Sequence, residues 1–247
     1  MPAARRSFAR RSWRSGSASS PPCARRAPRL TPVISLEGDA PFGWEVGLDA
    51  DGPLADLASL LQAAEALGEV ERLGALMRSA TVRAADEVSA AALLFLRVHP
   101  RQLLTPLLTR DRAFVERASR IVLEVAQPGE LRSVAQLAEN LAEHRLLGFR
   151  VALHNDGVEA GSIEWMRSLQ PEFAVLGAAV VRALPEDEAQ RAMAELLLRV
   201  GRRARTRFIA DGVERTEERE ALRALGCDLM RGRLFARPDA PTGGAAP

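Results

Sequence analysis

An α/β barrel, with parallel strands inside and helices around them, is the fold this sequence predicts, and three observations predict it. Short continuous apolar runs recur, such as "LLFLRV" (93–98) and "IVLEV" (121–125), of the kind buried on both faces of a sheet. Helical patterns separate them, in the alternation that a parallel sheet with crossover connections requires. The length of 247 residues suits one such barrel, which commonly takes about 250.

The elements follow in order. "PVISLE" (32–37) and "FGWEVGL" (42–48) read as strands joined by a turn at "GDA". Residues 54–90 carry apolar positions at helical spacing, in two pieces broken near Gly68. Strand 93–98 leads to a helix from about Pro100, and strand 121–125 to a helix over 130–147. "FRVAL" (149–153) precedes a helix around 162–169, and "EFAVLG" (172–177) precedes helices through Arg203. "TRFIADG" (206–212), a helix over 216–225, then "CDLMRG" and "RLFARP" close the chain. No period of 20 to 50 residues recurs, which excludes a solenoid.

Three domains of behaviour are expected. Residues 1–29 are rich in Arg, Ser, Ala and Pro and cannot bury enough apolar surface to offset their ordering entropy, so they read as a disordered arm. That make-up also suits a transit peptide, a solvated basic arm, or an early start codon. Residues 30–238 form the barrel, and 239–247 a flexible Pro/Gly/Ala tail. The net charge of +2 divides unevenly. Residues 1–30 hold eight Arg and no acid, so the rest carries 26 Arg against 32 acids, or −6. The basic pI thus describes the arm, and argues against a nucleic-acid partner for the barrel. No apolar run is long enough to cross a bilayer, and Cys23 and Cys227 form no CxxC pair, which fits a cytoplasmic protein with no membrane association.

In barrels of this class the site lies at the C-terminal ends of the strands. Those ends offer Glu45, Arg97, Glu124, His154 with Asn155, Val175, Asp211 with Glu214, and Arg231. Glu124, flanked by Val and Leu, needs a partner if buried. Convergent carboxylates from separate strands are what a hard divalent cation takes.

Several segments together carry a resemblance. "RFIADGVERTEEREALRALGCDLMRGRLFARP" (207–238) resembles the closing signature of EAL domains, the cyclic-di-GMP phosphodiesterase family. "IVLEV" resembles that family's LEITE strand, "FLRVHPRQL" its NxSP segment, and "VALHNDGVEAGS" its DDFGTG loop. "PEFAVLG" is similar to its PDxIKID strand, and "PVISLEGDAPFGWEVGL" to its opening QPIV…EALLR. The likeness runs in order over residues 31–238. It implies a modified TIM (β/α)8 barrel with one antiparallel strand near its start.

The resemblance also implies losses. Glu45 and Glu124 stand at family metal positions, Asp211 shortens a third carboxylate, and Glu214 is the second acid of the EGVE motif. The metal-binding Asn is Arg97, the paired Asp are His154 and Asn155, the assisting Lys is Val175, and the Gln is Arg231. The substrate-contacting Arg of EALLR falls at Asp49 or nearby, with no Arg in reach. No Lys exists anywhere in the chain to substitute. The expectation is therefore a lost Mg²⁺/Mn²⁺ site with no other cofactor, and Arg97 paired with Glu124 in its place. Asp211 and Glu214 are expected to pair with Arg231 and Arg233, which are also candidate anion contacts. His154 has a faint reading as a zinc ligand, and Trp44 and Trp165 read as packing.

The leading functional reading is a pseudo-enzyme of cyclic-di-GMP signalling that acts as a regulatory protein-interaction module. A metal-independent cyclic-di-GMP receptor is the alternative, and an active phosphodiesterase the remote one. A protein partner is expected, and cyclic-di-GMP and a second copy of the chain stay open as partners.

Overall fold

The computed structural model describes residues 28–38, 40–48, 57–104, 107–126, 134–155 and 161–235. Eight strands close into one barrel in sequence order. They are β1 (Pro28–Ser35), β2 (Pro41–Leu48), β3 (Leu93–Val98), β4 (Ile121–Ala126), β5 (Arg150–Asn155), β6 (Phe173–Leu176), β7 (Arg207–Ala210) and β8 (Leu229–Met230). β2 through β8 run parallel, and β1 is antiparallel to both its neighbours, β2 and β8. This is the expected fold class.

Boundaries differ most at β1 and after β3. β1 begins at Pro28, two residues inside the expected arm, because Pro28 and Arg29 pair with Leu48 and Gly47 of β2. It ends at Ser35 rather than 37, where a register shift at Val33/Ile34 precedes a turn. The helix expected from Pro100 is three short pieces, Pro100–Leu103, Leu107–Arg110 and Arg112–Val115. Asp111 caps the last by accepting from the Phe114 amide. The break near Gly68 is as expected, between helices Leu57–Leu67 and Val70–Glu87, with Gly68 at φ +72°. The tail 239–247, the first residues of helix 130–147, and Asp49 lie outside the described residues.

Two apolar layers follow from strand alternation, since successive side chains point to opposite faces. Outward-facing residues such as Leu94, Leu96, Leu123, Val151, Leu153 and Phe208 pack under the helices, with Trp44 and Trp165 against the same layer. Inward-facing residues form a plug inside the barrel: Val33, Leu93, Phe95, Val122, Ala152, Phe173, Val175, Ile209 and Leu229. Phe95 meets Phe173 edge-on at 5.3 Å between centroids. β2 presents Gly43 to this plug, where a Cβ would lie 2.6 Å from the Leu93 carbonyl oxygen.

That contact is with backbone hydrogen-bonded in the barrel, so it cannot yield cheaply. Gly43→Ala is expected to cost about 1–3 kcal/mol by overpacking. At about 2–4 °C per kcal/mol for a chain of this size, calorimetry should show a clear fall in Tm. An unchanged Tm would mean that β2 is not held this close to β3.

Candidate site at the barrel mouth

One pleat above the apolar plug, the inward positions change character. Phe95 gives way to Arg97, Val122 to Glu124, Ala152 to His154, Ile209 to Asp211 and Leu229 to Arg231, each two residues further along the chain, the last two just past their strands. β2 adds Glu45, and register sets Arg97 directly beside Glu124 on the adjacent strand. Strand alternation alone therefore brings these six residues into one layer at the C-terminal mouth. Backbone contacts at the strand ends hold two of them. The Asp211 amide donates to the Leu176 carbonyl, and that of Arg231 to the Ala210 carbonyl. The Val213 amide then donates to the Arg231 carbonyl. Gly232 allows this close approach at φ +154°, because a Cβ there would sit 2.3 Å from Val213 backbone atoms.

Arg231 is the hub. Its side chain is fully buried. Nη1 and Nη2 donate to Glu124 Oε2 and Oε1 at 2.8 and 2.9 Å, while Nε and Nη2 donate to Asp211 Oδ1 and Oδ2 at 3.0 and 3.1 Å. Each pairing is bidentate, the geometry that a planar guanidinium favours. Arg97 approaches Glu124 from its own strand, donating from Nη2 at 2.8 Å and Nε at 3.1 Å, with Asp211 at 3.5 Å. His154 Nδ1 lies 2.7 Å from Glu124 Oε1 and 3.0 Å from Arg97 Nη2. Only one of these contacts is a hydrogen bond in any one tautomer, since Nδ1 either donates to the carboxylate or accepts from the guanidinium.

The electrostatics follow from this crowding. Burial acts most strongly on Glu124 and would raise its pKa. Arg231, Arg97 and the His154 hydrogen bond together overcome burial and hold it well below the usual carboxylate range. Asp211 is lowered too, with Arg231 outweighing burial. Glu45 goes the other way: burial, with Glu124 and Asp211 nearby, raises it despite the two arginines. The guanidinium of Arg231 is raised well above its usual value by Asp211, Glu124 and Glu45 against the pull of burial.

A divalent cation makes a specific demand on such a layer. It would need anionic oxygens facing an open centre. Here both Glu124 oxygens and both Asp211 oxygens accept from guanidinium nitrogens.

The structure unites Glu45, Arg97, Glu124, His154, Asp211 and Arg231, and leaves three expected residues outside the layer. Val175 is buried in the apolar plug beside His154 in register. Glu214 and Arg233 form their own bidentate pair at the rim, at 2.7 and 3.0 Å, with Arg233 largely exposed. Asn155 ends β5 opposite Leu176, and its side chain falls outside the described part. Arg231 pairs with Asp211, as the sequence leads one to expect, and with Glu124 besides. The sequence reading paired Glu124 with Arg97 and missed that Arg231 crosses the barrel to the same carboxylate. Their separation of 107 residues hid the contact, and only strand order could have signalled it.

Comparison with known proteins agrees with this barrel. The family model for the EAL domain matches residues 24–238. Among curated proteins, the probable cyclic di-GMP phosphodiesterase PdeD of Escherichia coli is 25% identical over 48% of this chain and 22% of its own length. The cyclic di-GMP phosphodiesterase RocR of Pseudomonas aeruginosa is 26% identical over 64% of this chain and 42% of its own. The chain thus spans less than half the length of these relatives. A solved structure described as the PaMucR phosphodiesterase in complex with c-di-GMP superposes with a TM-score of 0.74 at 21% identity, covering 87% of this chain and 92% of that one.

Two outcomes follow from the layer. Arg231→Met should destabilise the barrel by about 3–5 kcal/mol, because it strands buried carboxylates, and chemical denaturation would measure it. The second concerns acid. Glu124 and Asp211 have folded pKa values below their unfolded ones, so their contribution is present above the unfolded carboxylate range near pH 4 and is lost as pH falls through the folded values. Tm should therefore drop steeply below about pH 4. Glu45, raised, contributes oppositely, its share vanishing as pH rises through its folded value. Glu124→Gln should flatten the acid limb; an unaltered limb would remove Glu124 as its source.

Proposed function

This chain belongs to the EAL-domain family, and from that premise we propose that it is a catalytically inactive member of cyclic-di-GMP signalling that regulates through protein contacts. One observation carries the reading: two guanidiniums, of Arg97 and Arg231, sit between the carboxylates of the layer. Like unit charges 4 Å apart at an effective dielectric near 20 repel by about 4 kcal/mol, and a divalent ion would meet about twice that from each arginine. The loss of charge and ligands supports a domain without Mg²⁺ or Mn²⁺. Val175, where the family resemblance places an assisting Lys, offers no group to orient or deprotonate a water. The apolar plug, the closed barrel and the helical layer are all present, so the scaffold has outlasted the chemistry and can serve as a contact surface. A cytoplasmic location is part of the same proposal; no helix among the described residues is long and apolar enough to cross a membrane.

Of the two candidate anion contacts for the receptor reading, Arg231 is fully buried and Arg233 is exposed at the rim. It is already engaged by Glu214, whose carboxyl the arginine lowers through their hydrogen bond.

Incubation with cyclic-di-GMP and either Mg²⁺ or Mn²⁺ is expected to give no hydrolysis. Turnover that vanishes in Glu45→Gln would overturn the inactive reading. For binding, two lost charge-assisted contacts at about 1.5–3 kcal/mol each weaken affinity by about two to four orders of magnitude. Calorimetry should accordingly find no saturable binding at low-micromolar ligand. Sub-micromolar binding that Arg233→Ala abolishes would establish the receptor instead.

A further inference from the structure

The two ends of this barrel differ in charge. Each helix runs back against the strand before it and so ends at the base, opposite the mouth, where the next strand begins. Helices Val134–Leu146, Gly161–Leu169, Glu188–Ala204 and Thr216–Ala224 end there, ahead of β5, β6, β7 and β8. Their last turns, with the connectors and first strand residues that follow, hold eight Arg against three acids, Glu143, Glu172 and Asp228. The chain beyond residue 30 carries 26 Arg against 32 acids, so this end is positive on a barrel that is acidic as a whole. Cations in a last helical turn offset the helix dipole, which accounts for Arg167, Arg203 and Arg223. It does not account for Arg150 and Arg207, the first residues of β5 and β7, nor for the apolar side chains just ahead of Arg150.

Those side chains are leucines. Leu146 is 89% exposed and Leu147 41%, where helix Val134–Leu146 ends and the chain turns through Gly148 (φ +100°) toward Arg150. Leu146 is the most exposed large apolar side chain among the described residues. Three of the arginines tie the base together beside them. Arg145 Nη2 donates to the Leu169 and Gln170 carbonyls at 2.9 and 3.0 Å, which fixes one helix end against the next. Arg202 Nη1 donates to the Leu225 carbonyl at 3.3 Å, and Arg207 lies over the Phe42 ring at 4.4 Å. The other five, Arg150, Arg167, Arg203, Arg205 and Arg223, stand exposed with no carboxylate in ion-pair range among the described residues. Unpaired guanidiniums and protruding leucines thus share one end of the molecule.

We infer that the base of the barrel docks on an anionic bilayer surface. Arg150, Arg167, Arg203, Arg205 and Arg223 meet lipid phosphates, and Leu146 with Leu147 enters the boundary between headgroups and acyl chains. The charge complementarity selects an anionic surface, and the leucines select one with an apolar layer beneath it. A nucleic acid would draw instead on aromatic platforms for its bases, and no aromatic side chain is exposed among the described residues. Net charge and the lack of a spanning run argue against a membrane for the chain as a whole, but neither describes one end of a folded barrel. Docking by the base turns the mouth away from the lipid, so it is independent of what the mouth binds.

Sedimentation of the full chain with vesicles of phosphatidylcholine, alone or mixed with phosphatidylglycerol, tests this. Binding is expected with the mixed vesicles only, and should fall with salt as the screening length drops from about 10 Å at 0.1 M to about 3 Å at 1 M. Residues 1–29 are basic too and add to any binding, so variants of the full chain isolate the base. Arg150→Gln combined with Arg203→Gln should weaken binding about thirtyfold, equivalent to about 2 kcal/mol. Leu146→Ser should weaken it about tenfold, with Tm unchanged because that side chain is 89% exposed. Unaltered binding in both variants would overturn the proposal and give the vesicles to the basic arm. Binding weakened by the arginine pair but indifferent to Leu146→Ser, with equal affinity for a single-stranded oligonucleotide, would overturn the lipid and put a nucleic acid in its place. Failure to bind either kind of vesicle would overturn it outright and leave the charge to an acidic protein.

Discussion

The fully buried guanidinium of Arg231, gripped by Glu124 on one side and Asp211 on the other, is the constraint on which the mouth of this barrel depends. Three carboxylates converge there from β2, β4 and the end of β7, and without positive charge they could not share a dry layer. A buried ion network is not a strong source of net stability, since well-packed apolar residues often serve as well. Its force is conditional. Once Glu124 sits at zero exposure, a compensating cation is obligatory, and removing it costs far more than the network gains. Arginines that belong to the chain meet this need permanently, whereas a bound metal meets it only when present.

The same layer bears on what the mouth can bind. Catalysis by a bridged pair of metal ions uses anionic oxygens that are free to face the reacting centre. Here those oxygens already accept from nitrogen donors at 2.8–3.1 Å. The positions are those of a site, and the charge balance is that of a salt-bridged core. Below the layer the apolar plug is closed around Phe95 and Phe173, so the ions rest on a dry floor and cannot relax downward into water.

Much of this was legible in the sequence, for identifiable reasons. β3 and β4 are apolar runs that each carry one charged residue toward the C-terminal end, so their extents could be read directly, and the family resemblance set Arg97 beside a Glu124 in need of a partner. β1 was harder. "PRLTP" is polar and proline-bearing, and it becomes a strand only because β2 supplies hydrogen-bond partners from Leu48 inward. Long-range partners were hardest of all. Nothing near residue 231 announces residue 124, whereas Asp211, on the adjacent strand end, could be named as a partner of Arg231. The contacts of His154 with a carboxylate and a guanidinium likewise depend on strand order and could not be named from its neighbours in sequence.

A closed hoop is limited by its shortest stave. β8 contributes two residues, Leu229 and Met230, which pair with β7 on one side and with Ser35 and Ile34 of β1 on the other. Were that seam to part, β1 and β7 would each present a row of unpaired backbone groups, the kind of exposed edge that recruits strands from other chains. Arg231 follows β8 directly, and its grip on Glu124 reaches across the barrel interior. The charged cluster at the mouth is therefore also a brace across the seam, keeping the sheet without edges and the protein out of reach of edge-to-edge aggregation.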